Sequence, residues 1–359
     1  MSSPAPRPVI ASMPRYVPGA RGEVGGPEPI KLSSNEMPFG PLESVREVIA
    51  GASAGVNRYP DMFSVDLTER IAVRLGLEPA QVVVGGGSVA VLGHILQAYC
   101  GIGDEVMFAW RSFEAYPILT QLTGASPIMI PLTGEAEHDL LSMAAAISDR
   151  TKVVMVCSPN NPTGPVISAE AFEEFMQQVP STVLVVLDEA YGEFVRAPYV
   201  VNGLDALTRY PNLVLLRTFS KAYGLAGLRV GYAAGPEDVI AHVRTCVTPF
   251  SVNSLAQTAA IASLDAEQEL LERVEQVVAE RIRVHEALTA QGWTVPASEG
   301  NFVWIAAREN TDAVVEAATA AERPLLVRPF AGEGVRITIG TPEENDAMLA
   351  ALDGLHFRA

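Results

Sequence analysis

Lysine is scarce in this chain: Lys31, Lys152 and Lys221 are the only three, and the other basic residues are arginines. Any amine nucleophile must be one of them. Lys31 closes a Pro/Gly-rich opening segment and Lys152 follows Asp149 and Arg150 in a polar loop, settings that predict solvent exposure for both. Lys221 differs, because Arg217-Thr218-Phe219-Ser220-Lys221 continues the apolar run Leu213 to Leu216. The C-terminal end of a buried strand is where α/β sheets place ligands. Two further runs end in reactive types. Val153 to Cys157 leads into Ser158-Pro159-Asn160-Asn161-Pro162-Thr163-Gly164, whose prolines fix a turn that can aim a side-chain amide. Val183 to Leu187 leads into Asp188-Glu189-Ala190-Tyr191, a carboxylate and a phenol at the same rim. Each alone has a plain reading: a surface Ser-Lys pair, an Asn-Pro turn, a helix N-cap. An amide, an acid, a phenol and a rare lysine at three strand ends argue for one site.

A fourth run, Val82 to Val84, leads into Gly85-Gly86-Gly87-Ser88-Val89 and then an apolar helical pattern. Backbone amides and a hydroxyl at a helix N-terminus make a cradle for an anion. The same glycines, as Gly85-x-Gly87-x-x-Ala90, fit a dinucleotide-binding fingerprint and so an NAD-dependent oxidoreductase. That fingerprint needs an acid about 20 residues on, at the end of the next strand. Here Asp104 and Glu105 precede that strand and Ala109-Trp110-Arg111 end it. Gly86-x-Ser88-x-Ala90 resembles a hydrolase nucleophile elbow but lacks its final glycine.

The elements that must carry these ends are legible as short β-branched runs alternating with helical patterns. Candidate strands are 82–84, 106–109, 127–130, 153–157, 183–187, 213–216 and 230–233. Most are apolar throughout, as strands buried on both faces are, which predicts an α/β domain with a mainly parallel seven-stranded sheet covered by helices. Residues 1–31 read as an extended arm, 251–291 as a long helical stretch whose Glu272, Arg273, Glu280 and Arg281 form a solvated face, and the remainder as a smaller α+β domain closed by a helix opening at Thr341-Pro342. The expected division is 1–44 (arm and start of the small domain), 45–248 (large domain) and 249–359 (small domain). The length of 359 residues suits about two domains. A net charge of -17 argues against nucleic-acid binding. Five histidines and three well-separated cysteines show neither metal spacing nor a disulfide framework. With no signal-peptide pattern and no membrane-length apolar run, the chain reads as cytoplasmic.

Ser158 to Gly164, Asp188 to Tyr191, and Ser220-Lys221 with Arg229 eight residues on resemble the site of fold-type I pyridoxal-phosphate-dependent aminotransferases. Within them the chain is most similar to the histidinol-phosphate aminotransferase branch and its aromatic (phenylalanine) members. Tyr16-Val17-Pro18-Gly19, Ser34 to Gly40, Asn57 to Asp61, Thr218 to Gly231 and Glu299 to Val303 carry the likeness along nearly the whole chain. The resemblance implies that Lys221 holds pyridoxal 5'-phosphate as a Schiff base and shuttles the proton, that Asp188 faces the ring nitrogen, and that Tyr191 and Asn161 bond the phenolic oxygen. Phe113 would stack on the ring, where many relatives carry tyrosine. Gly87, Ser88, Val89, Thr218, Ser220 and Arg229 would hold the phosphate, joined by Tyr59 from a partner subunit, which makes the expected assembly a homodimer with shared sites.

By the same resemblance Arg336, in Gly334 to Gly340, binds the substrate carboxylate with Asn161, while Arg328 is a second candidate and Tyr16 closes over the substrate. A guanidinium is the natural bidentate partner of a carboxylate. Trp110 to Phe113, with Met37, Phe39 and Phe330, would supply an apolar pocket. The expected reaction is amino-group transfer between phenylalanine- or tyrosine-type amino acids and 2-oxoglutarate. The alternative, histidinol phosphate of histidine biosynthesis, would place its phosphate on both arginines.

Overall fold

The computed structural model describes residues 4–13 and 28–355. Its strands are β1 (Ile30–Lys31), β2 (Val82–Gly85), β3 (Glu105–Trp110), β4 (Ser126–Pro131), β5 (Thr151–Cys157), β6 (Leu184–Asp188), β7 (Leu213–Thr218), β8 (Gly231–Ala234), β9 (Phe302–Ile305), β10 (Leu325–Leu326), β11 (Arg328–Phe330) and β12 (Gly334–Thr338). Seven of these form one sheet in the order β2-β8-β7-β6-β5-β3-β4, with β8 antiparallel to both neighbours and the other pairings parallel. The mainly parallel seven-stranded sheet expected from the apolar runs is thus present. Strands β6 and β2 are buried at every position, whereas edge strand β4 is half-open and carries Pro127 and Pro131. Proline is tolerated there because an edge strand leaves one row of ladder bonds unused.

Strand order reverses between β3 and β5, with β4 to one side and β6 and β7 to the other. A crevice opens at the carboxyl ends where such a reversal occurs. Helices Ser88–Tyr99, Ala115–Thr123, Ala169–Gln178 and Glu237–Cys246 cover the sheet, and buried apolar clusters lie on its two faces. A second sheet, β11-β12-β9, is antiparallel and is backed by helices Glu267–Ala290 and Thr311–Thr319, against both of which helix Pro342–Leu352 packs. The last helix begins with a capping box between Thr341 and Glu344, as Thr341-Pro342 predicts. Strand β1 pairs in parallel with β10, so the segment after the arm is built into this second unit.

Three expectations need correction. The arm is not wholly extended: Pro8–Ser12 forms one helical turn, and Arg7 donates to the Leu122 carbonyl at 3.1 Å. The 251–291 stretch is two helices, Ser254–Asp265 and Glu267–Ala290, broken at Ala266. Finally, Arg281 is buried rather than solvated. Its guanidinium donates to the carbonyls of Phe194 (3.1 Å) and Gly300 (3.0 Å) and to Glu299 (3.0 Å), tying the long helix to the loops before β9 and after β6. Alternating charge could not distinguish this inward arginine from its exposed neighbours. Among the described residues no helix is long and apolar enough to cross a membrane, and no cluster of metal-binding side chains occurs.

Candidate active site

The carboxyl ends of β5, β6 and β7, the glycine turn after β2 and the hairpin β11–β12 enclose a cavity of about 500 Å³. Lys221, three residues beyond β7, extends into it and donates from Nζ to the Ser34 carbonyl at 2.9 Å, with the Tyr191 ring centre 5.8 Å away. Burial first, then the nearby Arg336 and Arg229 guanidiniums, push its pKa down to about 7 against the pull of Glu36 and Asp188. A substantial share of this amine is therefore unprotonated and nucleophilic near neutral pH. Lys31 and Lys152 lie outside the cavity lining, Lys31 in an exposed ion pair with Glu36 at 2.9 Å.

Asp188 is the last residue of β6 and is buried. Its Oδ2 accepts from the Tyr116 hydroxyl at 2.8 Å and its Oδ1 from the Ala190 amide at 3.1 Å. Both donors are neutral, and burial raises its pKa to about 6. A buried carboxylate held this way calls for a cation that the two donors do not provide. Tyr116 itself is almost fully buried on the helix that follows Phe113, and the two rings meet edge to face at 5.6 Å. The Tyr191 hydroxyl accepts from Asn35 Nδ2 at 2.9 Å, its ring rests on Phe302 at 5.0 Å, and burial pushes its pKa up.

The glycine turn and the segment after β7 form a polar cradle on the opposite wall. Gly87 caps helix Ser88–Tyr99 with φ +94°, a conformation suited to glycine. A Cβ at that position would lie 2.5 Å from Arg229 Nη2, so only glycine leaves the guanidinium its place beside the helix N-terminus. Arg229, itself left-handed at φ +60°, donates to Ser220 Oγ (3.2 Å) and to the Ala226 carbonyl (3.0 Å), and the Ser220 amide donates to Thr218 Oγ1 (3.1 Å). Ser88, Val89 and Thr218 also line the cavity here. A guanidinium, hydroxyls and helix-terminal amides converging on one point suit a phosphate.

Across the cavity, β11 and β12 place Arg328 directly opposite Arg336. Both are buried. Arg336 donates to Asn161 Oδ1 and, at 2.7 Å, to the Ser33 carbonyl, so Asn161 meets the arginine that shares its expected role. Arg328 forms an ion pair with Glu114, donating from Nε at 3.2 Å and also from Nη2. The neighbouring Asn160 accepts from Ser112 Oγ at 2.7 Å and donates to Thr163 Oγ1 at 2.7 Å, which pins the turn that carries Asn161.

The structure thus brings together Lys221, Asp188, Tyr191, Asn161, Phe113, Ser88, Val89, Thr218, Ser220, Arg229, Arg328 and Arg336 around one cavity, with Gly87 packed behind Arg229. Tyr59 is not among them: it is 83% exposed and stacks on Phe250 at 4.7 Å. Tyr16 lies outside the described residues. The expected apolar pocket is also different in composition. Ile118 and Leu119 join Phe113 in the wall, whereas Phe330 packs on Trp304 at 5.3 Å, and Met37 and Phe39 pack against the buried cluster shared by β2, β8, β9 and β12. Tyr116, Asn35 and Glu114 were not singled out in the sequence. None of the three gave a local signal: Phe113 and Glu114 precede the helix Ala115–Thr123 that carries Tyr116, so helical spacing does not link Tyr116 to Phe113.

The lysine near neutrality, the buried acid lacking a cation and the phosphate cradle together fit pyridoxal 5'-phosphate, whose amine-reactive carbonyl, ring nitrogen and phosphate would each meet a matching group. Residues 27–352 match the family described as aminotransferase class I and II. The chain is 51% identical to an aromatic amino acid aminotransferase of Streptomyces coelicolor over 97% of this chain and 96% of that one. It is 53% identical to a protein of the same name from Thermobifida fusca, over 96% and 95%. Among solved structures, the histidinol-phosphate aminotransferase of Sinorhizobium meliloti in complex with pyridoxal-5'-phosphate superposes with a TM-score of 0.86 at 27% identity, covering 96% of each chain.

Proposed function

The chain belongs to the class I and II aminotransferases, and from that premise we propose that it transfers the amino group between aromatic amino acids of phenylalanine or tyrosine type and 2-oxoglutarate, with pyridoxal 5'-phosphate as cofactor. The cofactor, when bound, supplies the electron sink for the carbanion left by proton removal from the substrate Cα. Lys221 Nζ would hold the cofactor's carbonyl carbon and, as a free amine, would take the proton from the substrate Cα and return it. Its pKa of about 7 suits both directions of transfer near neutral pH. Asp188, fixed by Tyr116 and Ala190, keeps the ring nitrogen protonated, and the cradle of Gly87, Ser88, Val89, Thr218, Ser220 and Arg229 anchors the phosphate. Tyr191 and Asn161 orient the phenolic oxygen, and Phe113 covers the ring.

The observation that carries the substrate reading is the Arg328–Glu114 ion pair. A phenylalanine carboxylate needs one guanidinium, supplied by Arg336 beside Asn161, while its ring meets Phe113, Ile118 and Leu119. Histidinol phosphate would draw on both arginines, and Arg328 is already engaged; the names of the relatives near 50% identity point the same way. The same reading carries an arm with the start of the small domain over 1–44, a cofactor domain over 45–248, a smaller domain over 249–359, a cytoplasmic setting and a homodimer in which Tyr59 reaches the partner's phosphate and Tyr16 closes over the substrate. Steady-state kinetics of purified protein with phenylalanine, tyrosine and histidinol phosphate, each with 2-oxoglutarate, test it. The expected kcat/KM for phenylalanine exceeds that for histidinol phosphate, and the reverse order would overturn the aromatic assignment.

A further inference from the structure

We propose that His138 is a positioning residue for the reaction: from outside the cavity it donates a hydrogen bond to Asn160 and so fixes the turn that presents Asn161 to the substrate carboxylate and the cofactor. The inference rests on the aminotransferase reading of the cavity and adds to it a residue that touches neither ligand.

Asn160 is almost fully buried and uses both ends of its amide. Its Nδ2 donates to the Arg111 carbonyl at 3.1 Å and to Thr163 Oγ1 at 2.7 Å, and its Oδ1 accepts from Ser112 Oγ at 2.7 Å. A carbonyl can only accept, so the Arg111 contact fixes which end of the amide is which. His138 Nε2 lies 3.1 Å from that same Oδ1. The oxygen carries no hydrogen, so the imidazole must donate: its proton sits on Nε2 and its Nδ1 is bare. Nδ1 is closed off from solvent and has no hydrogen-bond partner among the described residues. Burial, set against the Asn160 bond, pushes the ring's pKa down to about 4, so His138 is a neutral donor near neutral pH.

The loop that carries His138 is anchored on both sides. The Ala136 carbonyl accepts from Thr163 Oγ1 at 2.9 Å, and Asp139 caps helix Leu140–Ala145 by accepting from the Ser142 amide at 2.9 Å. Asn160 thus joins three segments: this loop, the turn after β5, and Arg111-Ser112 directly before Phe113. Asn161, the next residue of the turn, accepts from Arg336, and Phe113 lines the cavity. The node therefore sets the group that orients the ligands against the ring that covers them. Without His138, Ser112 alone would hold the Oδ1 end of the amide.

The test uses holoenzyme, with 3-phenylpropanoate as an unreactive carboxylate for Arg336 and Asn161. His138→Leu and His138→Gln both fill the space of the ring, and only glutamine can donate to Asn160 Oδ1. His138→Leu is expected to weaken 3-phenylpropanoate about fivefold by calorimetry. It should also raise the pH midpoint of the bound cofactor's absorbance change, because the phenolic oxygen loses a well-aimed donor. His138→Gln should bring both back toward wild type, and in an Asn160→Ala background the leucine substitution should add nothing. A merely structural role predicts that leucine and glutamine behave alike and that both readouts follow Tm. Equal behaviour of the two variants, no change with leucine, or a full leucine effect without Asn160 would each overturn the proposal. Should the leucine variant fold poorly, nitrogen-15 NMR of histidine-labelled holoenzyme decides. The resonance missing from His138→Gln should be a neutral ring protonated on Nε2 alone, and a charged ring or a proton on Nδ1 would overturn the proposal. A wild type that takes up no cofactor would instead overturn the aminotransferase reading, and this proposal with it.

Discussion

Lys221 and Asp188 are both held where burial penalises charge, and the two titrate in opposite senses. The Lys221 amine has a pKa of about 7 in the fold against an ordinary 10.5, so the cost of burying it charged is present below pH 7 and relieved as pH rises toward 10.5. Asp188 has a pKa of about 6 against 3.8, so the folded chain keeps its proton longer; the benefit is full below 3.8 and lost as pH rises through 6. Cofactor-free Asp188→Asn should therefore be more stable than cofactor-free wild type at pH 8, by on the order of 2 kcal/mol, or a few degrees in Tm. The gap should close as pH falls toward 4, and calorimetric scans across that range check it; a variant less stable at pH 8 would contradict the unpaired acid. Transamination should be lost, since a neutral amide lacks the charge that keeps the ring nitrogen in its cationic form. The arginines give a second prediction at this scale. Arg336→Ala should cost roughly 3 to 5 kcal/mol in kcat/KM for phenylalanine, because it removes a charge-assisted pair in a closed site. Arg328→Ala should cost clearly less on phenylalanine, as its charge is engaged by Glu114, whereas comparable losses would indicate that both arginines hold the substrate.

Strand ends do most of the positioning, and the glycine turn after β2 tests that arrangement most sharply. Gly87→Ala forces a Cβ to 2.5 Å from Arg229 Nη2 at a φ of +94°. The guanidinium must move out of the cradle, so cofactor affinity should fall at least about tenfold while the sheet remains folded, read by cofactor titration beside circular dichroism. An unchanged affinity would separate Arg229 from the phosphate. The sequence revealed this turn, and the residues at the ends of β5, β6 and β7, because an apolar run stopping at a reactive type is a local pattern. It did not reveal Asn35 beneath Tyr191, Tyr116 beneath Asp188 or Glu114 on Arg328. Those contacts join residues 156, 72 and 214 positions apart, and they exist only once the sheet order and the β11–β12 hairpin are set. Arg281 failed for a related reason, since a helical charge pattern does not say which arginine meets two loop carbonyls.

The exposed surface around Tyr59 is where the proposed homodimer can be tested. Val56, Tyr59, Phe63, Val65 and Phe250 are all at least 40% exposed, and Met62, Phe63 and Val65 border a cavity of about 650 Å³ together with Val82, Val247 and Pro249. Clustered apolar exposure of this kind marks an interaction surface. The cradle around Arg229 is meanwhile built without Tyr59, which its own chain turns outward. A homodimer that places each Tyr59 at the other chain's cradle accounts for both facts, and light scattering should give about twice the 38.2 kDa chain mass. Complementation tests the sharing directly. In a mixed dimer of Tyr59→Ala and Lys221→Ala chains, the first chain keeps its lysine and borrows an intact Tyr59, while the second site lacks both. Random reassociation makes half the dimers mixed, each with one complete site. Activity should then rise above that of either parent toward about a quarter of wild type. Were Tyr59 to act within its own chain, or on no site at all, mixing would restore nothing.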